Sequence, residues 1–250
     1  MAKLTILGSS NAVAGEGADN SHMLFESGGR FVLIDSPSNP ILKLERIGVH
    51  YEKISDLIVT HFHPDHVSGI PLFLMDMWLR GRKSPLRIYG LAHAIDRLED
   101  LMEAFLWENW PGFFPVTFNR LPSTELHLAI EDDSFKIYTS EVHHMIPTIG
   151  MRFELNAGKV LAYSCDTSPC DEVVRLGRDA DLLIHEASGE FLGHSSSAQA
   201  AEIANRAKVK ELCLIHYPTG EFWQENLLPD AQERFEKNVF LAKDMMTLDF

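Results

Sequence analysis

The sequence is poor in cysteine, in basic residues and in long apolar runs. Its 250 residues hold only Cys165, Cys170 and Cys213. Three are too few for a disulfide framework, and the odd count fits a reducing compartment. Lys and Arg number 22 against 36 Asp and Glu, a net charge of −14. This excludes a protein whose affinity comes from a broad basic surface on nucleic acid, although not a local basic groove. The longest apolar run, Gly69 to Met75, falls far short of the ~20 residues of a membrane span. The opening MAKLTILGSS lacks the apolar stretch and cleavage site of a secretory signal. No linker, repeat or low-complexity tract breaks the chain. The expectation is one domain over residues 1–250, cytoplasmic, with no membrane contact.

Histidine, by contrast, is abundant, at twelve residues. The elements around these histidines can be read from periodicity. Strands are expected at Leu4–Leu7, His22–Phe25 and Phe31–Ile34, with Gly28-Gly29 suiting a hairpin or a bulge, and a buried strand over Leu57–Thr60. Helical spacing covers Pro40–Ile47, Pro71–Leu79 and Ala92–Trp107. A second β-rich block is expected from Val116 to Tyr163. The tail then alternates helix and strand, ending in a helix over Ala231–Leu241. Two β-rich halves flanked by helices predict an α/β, four-layer αββα sandwich.

Residues 60–66 read Thr-His-Phe-His-Pro-Asp-His. In extended chain His61 and His63 point to one side, and Pro64 then breaks the strand so that Asp65 and His66 face a second point. Imidazoles with a carboxylate suit zinc, iron or manganese, and so dense a cluster favours two ions over one.

This motif resembles the His-x-His-x-Asp-His signature of the metallo-β-lactamase superfamily, whose fold is an αββα sandwich with a dinuclear site. Residues 144–152 (His-Met-Ile-Pro-Thr-Ile-Gly-Met-Arg), 163–167 (Tyr-Ser-Cys-Asp-Thr) and 214–217 (Leu-Ile-His-Tyr) resemble further segments of its ribonuclease Z-like branch. The resemblance implies that His61, His63 and His144 hold one divalent ion and Asp65, His66 and His216 the other, with Asp166 between them. Cys165, beside Asp166, is read as packing. The ions are expected to be Zn2+, with Mn2+ or iron as alternatives. Residues 181–188 and 193–204 are similar to the branch's His-Glu-Ala-Thr and Gly-His-Ser-Thr motifs. His194 thereby inherits the role of assisting the leaving group, and Glu186 could orient it.

The resemblance implies a phosphodiesterase that uses a hydroxide shared by two ions, with Asp65 holding it in line. The substrate would be a small-molecule or nucleotide-type ester. One alternative is tRNA 3′-end processing, as in ribonuclease Z; another is a thioesterase or lactonase on the same metals. Only twenty-one residues separate His144 from Asp166, and no segment supplies the arm with which that branch clamps tRNA. The aromatic segment Trp107–Phe118 reads as core or as a contact of a homodimer, which the family often forms. The cluster of Arg80, Arg82, Lys83 and Arg87 reads as a solvated turn or an attractor of anions.

Overall fold

The computed structural model describes residues 2–223 and 225–250. Its strands are β1 (Lys3–Gly8), β2 (His22–Ser27), β3 (Arg30–Ile34), β4 (Ile54–Ile58), β5 (Leu86–Leu91), β6 (Val116–Leu121), β7 (His127–Glu131), β8 (Phe135–Val142), β9 (Thr148–Leu155), β10 (Val160–Tyr163), β11 (Leu182–Glu186), β12 (Glu211–Ile215), β13 (Asn238–Leu241) and β14 (Thr247–Asp249). Its α-helices are α1 (Ile41–Arg46), α2 (Pro64–Val67), α3 (Ile70–Leu79), α4 (Ala92–Ala104), α5 (Asp171–Leu176), α6 (Ser197–Ala207) and α7 (Leu227–Gln232).

The strands form two seven-stranded sheets, in the orders β14-β1-β2-β3-β4-β5-β6 and β13-β12-β11-β10-β9-β8-β7. Each has an antiparallel part and a parallel run, β3 to β6 in the first and β10 to β13 in the second. Parallel neighbours need a crossover, and helices supply it. Strand alternation then sorts the side chains into layers. Ile6, Ile58, Cys213 and Ile215 face the space between the sheets, whereas Leu7, Leu57, Leu212 and Leu214 face the outer helices. Phe25 sits at the centre of the inter-sheet core, with ring centroids 5.0 Å from both Phe135 and Phe153. Helices α1, α3 and α4 cover the first sheet and α5, α6 and α7 the second. The four-layer αββα arrangement expected from the sequence is the one observed.

The β2–β3 turn is a tight hairpin in which Ser27 pairs with Arg30 and Gly28 and Gly29 have φ of +60° and +83°. Two consecutive positive φ values are what a type I′ turn requires, and glycine adopts them without a Cβ clash. Other expectations fail. The tail segment Ala231–Leu241 is no single helix: α7 ends at Gln232, and β13 pairs parallel with β12, with Val239 opposite Leu212. Edge pairing in a buried sheet outweighs the weak helical spacing of that run. Strand β6 closes the first sheet, not the second. Helix α4 stops at Ala104, short of Trp107, and Leu106 takes a left-handed φ of +52°. Strand β14, which pairs with β1, escaped the sequence reading.

Two further segments resolve. In the aromatic segment, Trp110 stacks on Trp78 at 5.0 Å and Phe114 is buried, so much of it belongs to the outer core beside α3 and α4. Three of the four members of the basic cluster have internal partners, which leaves little free charge to attract anions. Arg80 pairs with Asp76 and Glu45, and Arg87 with Asp56. Arg82 is 1% exposed and donates to the carbonyls of Tyr51, Ile54, Ser84 and Pro85.

Candidate metal centre

The carboxyl ends of β3, β4, β10, β11 and β12 open onto one mouth, the place where α/β sheets gather functional groups. Strand β4 ends at Ile58, so His61 and His63 lie in the extended segment that follows it. Pro64 then occupies the first turn of α2, where its missing N–H costs nothing, and that turn carries Asp65 and His66. Asp166 follows β10, His216 follows β12, and His144 lies between β8 and β9.

The seven residues form two adjoining groups. His63 Nδ1 lies 3.1 Å from His61 Nε2 and 3.0 Å from His144 Nε2. Asp65, His66, Asp166 and His216 make the second: His216 Nε2 is 3.3 Å from Asp65 Oδ2 and 3.4 Å from Asp166 Oδ2, and His66 Nε2 is 3.5 Å from Asp166 Oδ2. Asp166 Oδ2 also lies 3.9 Å from His61 Nε2, so this carboxylate stands between the groups.

The outer hydrogen bonds show which ring nitrogens are free. His66 donates from Nδ1 to Asp35 Oδ2 (2.8 Å), and His144 from Nδ1 to the carbonyl of Gly193 (2.6 Å). Thr60 Oγ1 donates to Asp35 Oδ2 at 2.7 Å and can therefore only accept from His61 Nδ1 at 3.1 Å. Ser188 Oγ likewise donates to the His216 carbonyl and accepts from His216 Nδ1. Four imidazoles thus hold their Nδ1 protons outside and turn Nε2 inward, as bare lone pairs in His61 and His144, the arrangement by which outer partners orient metal ligands.

Those lone pairs lack proton donors. His61 and His144 both aim at His63 Nδ1, which has at most one proton to give. Among the described residues, His66 Nε2 and Asp166 Oδ1 are buried with no hydrogen-bond partner. Leaving such groups unpaired costs about 1–3 kcal/mol each, whereas cations held among them would satisfy the set. Burial pushes the pKa of His61, His63 and His144 down, keeping the rings neutral as donors. Asp166 is held well below the usual carboxylate range: burial opposes ionisation, and attraction from the facing imidazoles of His216 and His66 outweighs it. His66 is pushed well above the usual imidazole range, since Asp166 and Asp35 outweigh its burial, so without a cation this ring itself carries the charge that balances the two carboxylates. The residues present fit divalent metal ions.

Beside this centre, His194 Nδ1 lies 3.1 Å from Glu186 Oε1. Glu186 is fully buried and accepts backbone N–H groups from Thr167, Ser188 and Ser195. Helix α6 begins with a capping box of Ser196 and Gln199, which fixes the chain just after His194. The His194 ring packs 4.9 Å from that of His144 and nearly parallel to that of His216 at 5.9 Å. Burial opposes its charged form, but the hydrogen bond and charge of Glu186 outweigh this and raise its pKa. His185, which precedes Glu186 in the chain, bonds among the described residues only to the Glu186 carbonyl.

The sequence reading missed the outer residues Asp35, Thr60 and Ser188. Asp35 has a left-handed φ of +58°, as do Cys165 and His216 at +52°; strain of this kind clusters at functional sites. The available signal for Asp35 was an acid at the end of an apolar strand, the pattern that Asp166 shares. Cys165 lies 3.7 Å from His61 Nδ1, the outward nitrogen, in keeping with its reading as packing.

Comparison with known proteins places the fold. The chain is 25% identical to the ribonuclease Z of Methanothermobacter thermautotrophicus, over all of this chain and 97% of the relative. That alignment runs to 305 positions against 250 residues here, so the relative has at least 55 residues that this chain lacks. The fold matches that of the metallo-beta-lactamase fold protein YhfI from Bacillus subtilis, with a TM-score of 0.82 and 24% identity over the whole of both chains. It also matches the short form of human tRNase Z, with a TM-score of 0.79 and 24% identity over 99% of this chain and 98% of that one. The chain has the metallo-β-lactamase fold and is a metal-dependent hydrolase. A family model described as Anti-Pycsar protein Apyc1 matches residues 2–238, and the chain belongs to that family.

Proposed function

We propose that the chain hydrolyses a phosphodiester, of small-molecule or nucleotide type, at two divalent ions. His61, His63 and His144 would hold one ion, Asp65, His66 and His216 the other, and Asp166 would serve both. The observation that carries this reading is the convergence of inward lone pairs with the unpartnered His66 Nε2 and Asp166 Oδ1. When bound, the ions lower the pKa of water and offset negative charge on the phosphoryl oxygens. Zinc suits the mixed imidazole and carboxylate set, which manganese and iron also accept.

The chain's own residues supply orientation and a proton. Asp65, at the start of α2 and 3.3 Å from His216 Nε2, orients the attacking water. His194 gives a proton to the departing oxygen, and buried Glu186 keeps that imidazole aimed and charged. A cytoplasmic location and a homodimer, formed over exposed Leu72, Leu79 and Phe105, complete the reading.

A panel of a chromogenic phosphodiester, a lactone, a thioester and a precursor tRNA tests it on metal-loaded protein. Turnover of the phosphodiester alone is expected, and silence there overturns the proposal. The second reading, tRNA 3′-end processing, draws on the full-length similarity to ribonuclease Z. The net charge of −14 and the missing residues weigh against it. Cleavage of the precursor tRNA at ordinary enzyme concentration would put it first. Turnover of the lactone or thioester alone would make the chain a lactonase or thioesterase on the same metals.

A further inference from the structure

Outside the candidate metal centre, a second group of metal-ligating side chains lies where the β8–β9 connection meets the start of α5. The ligand atoms of His143, Cys170 and Glu172 lie within 4.8 Å of one another. His143 Nε2 and Glu172 Oε2 are 3.4 Å apart. Bonds of about 2.0–2.3 Å to a tetrahedral ion put neighbouring ligand atoms roughly 3.3–3.8 Å apart, so this edge already has the spacing of a coordination sphere.

Each of the three has a coordinating atom to spare. Glu172 gives Oε1 to Arg175 at 2.6 Å, while Oε2 is shielded from solvent and accepts no hydrogen bond. Cys170 is buried, and its thiol meets Thr167 Oγ1 at 3.6 Å, a weak contact, and the Glu172 carboxylate, the partner with which it would share an ion. His143 is two-thirds exposed, which leaves an open side for water and a path for entry. A thiolate, an imidazole and a carboxylate are donors that zinc and its thiophilic neighbours accept together, whereas magnesium and calcium prefer oxygen alone.

We propose that His143, Cys170 and Glu172 form a third transition-metal site, distinct from the hydrolytic centre, with water in the fourth position. Binding replaces the thiol S–H bond by a sulfur–metal bond and releases that proton to solvent. The site touches both segments that lead to the candidate centre. His143 precedes His144, and the His143 N–H donates to Thr167 Oγ1, one residue after Asp166. The N–H of Ser168 returns to the His143 carbonyl at 2.8 Å. An ion here ties these two segments together across the outer edge of the site. The assignment stands whatever substrate the hydrolytic centre takes.

Titration of the metal-free protein with Co2+ tests it, because a sulfur–cobalt bond gives a near-ultraviolet charge-transfer band that imidazole and carboxylate ligands do not. The wild type is expected to show the band. Cys170→Ser should lose it and bind one equivalent of Co2+ fewer. His143→Gln, at an exposed position where folding is not at stake, should weaken filling of that site by about tenfold or more. Cys165→Ser should keep the band. Absence of the band in the wild type overturns the proposal. So does its survival in Cys170→Ser, or its loss in Cys165→Ser with retention in Cys170→Ser.

Discussion

Glu186 Oε1 faces His194 Nδ1 at 3.1 Å and is itself fixed by the N–H groups of Thr167 and Ser195. A buried carboxylate held by backbone cannot swing away, so the imidazole it faces is fixed in direction and favoured in its charged form. If His194 is the acid for the leaving oxygen, His194→Ala should lower kcat about 10²–10⁴-fold for an alkoxide leaving group. The loss should be much smaller for a nitrophenolate, which departs without a proton. Metal content should stay at the wild-type level. Equal losses on both substrates would remove His194 from the acid role.

Replacing Glu186 with Gln separates aim from charge. The amide can still meet Nδ1, but the negative charge that helps raise the His194 pKa is gone. The basic limb of the pH–rate profile reports loss of the protonated acid, so it should move to lower pH in Glu186→Gln. An unmoved limb with reduced kcat would assign Glu186 to positioning alone.

Asp35 offers a test of the outer shell. It accepts from His66 Nδ1, from the Thr60 hydroxyl and from the Thr60 N–H. Asp35→Asn should lower the affinity of the ion held by His66 about 10–100-fold, and Ser188→Ala should act similarly through His216. Competition with a chromophoric chelator measures both. Unchanged affinity in both variants would show that the ligands need no outer support.

These residues also mark what can be read from sequence. Four candidate ligands lie within six positions, and alternation in an extended chain puts His61 and His63 on one side without any knowledge of the fold. Strand alternation likewise exposed the two β-rich halves, because each half is built from neighbouring segments. Thr60, Asp35 and Ser188 carry no such local pattern; their roles arise only when β3, β4 and the segment after β11 are brought to one mouth. Arg82 reads as a charge in a turn until burial surrounds it with four carbonyls. Strands β13 and β14 are short edge strands whose state is decided by their partners, β12 and β1, and not by their own propensity.

Arg82 leads to a stability prediction. Its guanidinium is the donor for carbonyls of Tyr51, Ile54, Ser84 and Pro85, and its removal leaves buried acceptors unpaired at about 1–3 kcal/mol each. Arg82→Ala should cost about 3 kcal/mol or more, read as a lower urea midpoint with an unchanged m-value. Lysine should not rescue it, because one ammonium cannot reproduce the planar fork. A loss under about 1 kcal/mol would mean that water replaces the guanidinium.

Two buried histidines outside the candidate ligand set contribute to acid sensitivity. His22 and His185 are pushed down to about 4 by burial, which disfavours the charged ring. Unfolded histidine titrates near 6.5, so between pH 6.5 and 4 the unfolded chain binds more protons than the folded one. Stability must then rise with pH across that window and fall as pH drops through it. The full gap corresponds to about 3 kcal/mol for each residue at the lower end, by the value of one pKa unit. Asp181, lowered to about 2, adds its loss only below the ordinary carboxylate range, so it does not confuse the window. The metal-centre histidines are shifted as well, so urea denaturation at half-unit steps is compared between the metal-free protein and its His22→Phe and His185→Phe variants, whose difference isolates these two rings. The same pH dependence in the variants as in the wild type would mean that one or both rings find water or a carboxylate and charge without unfolding.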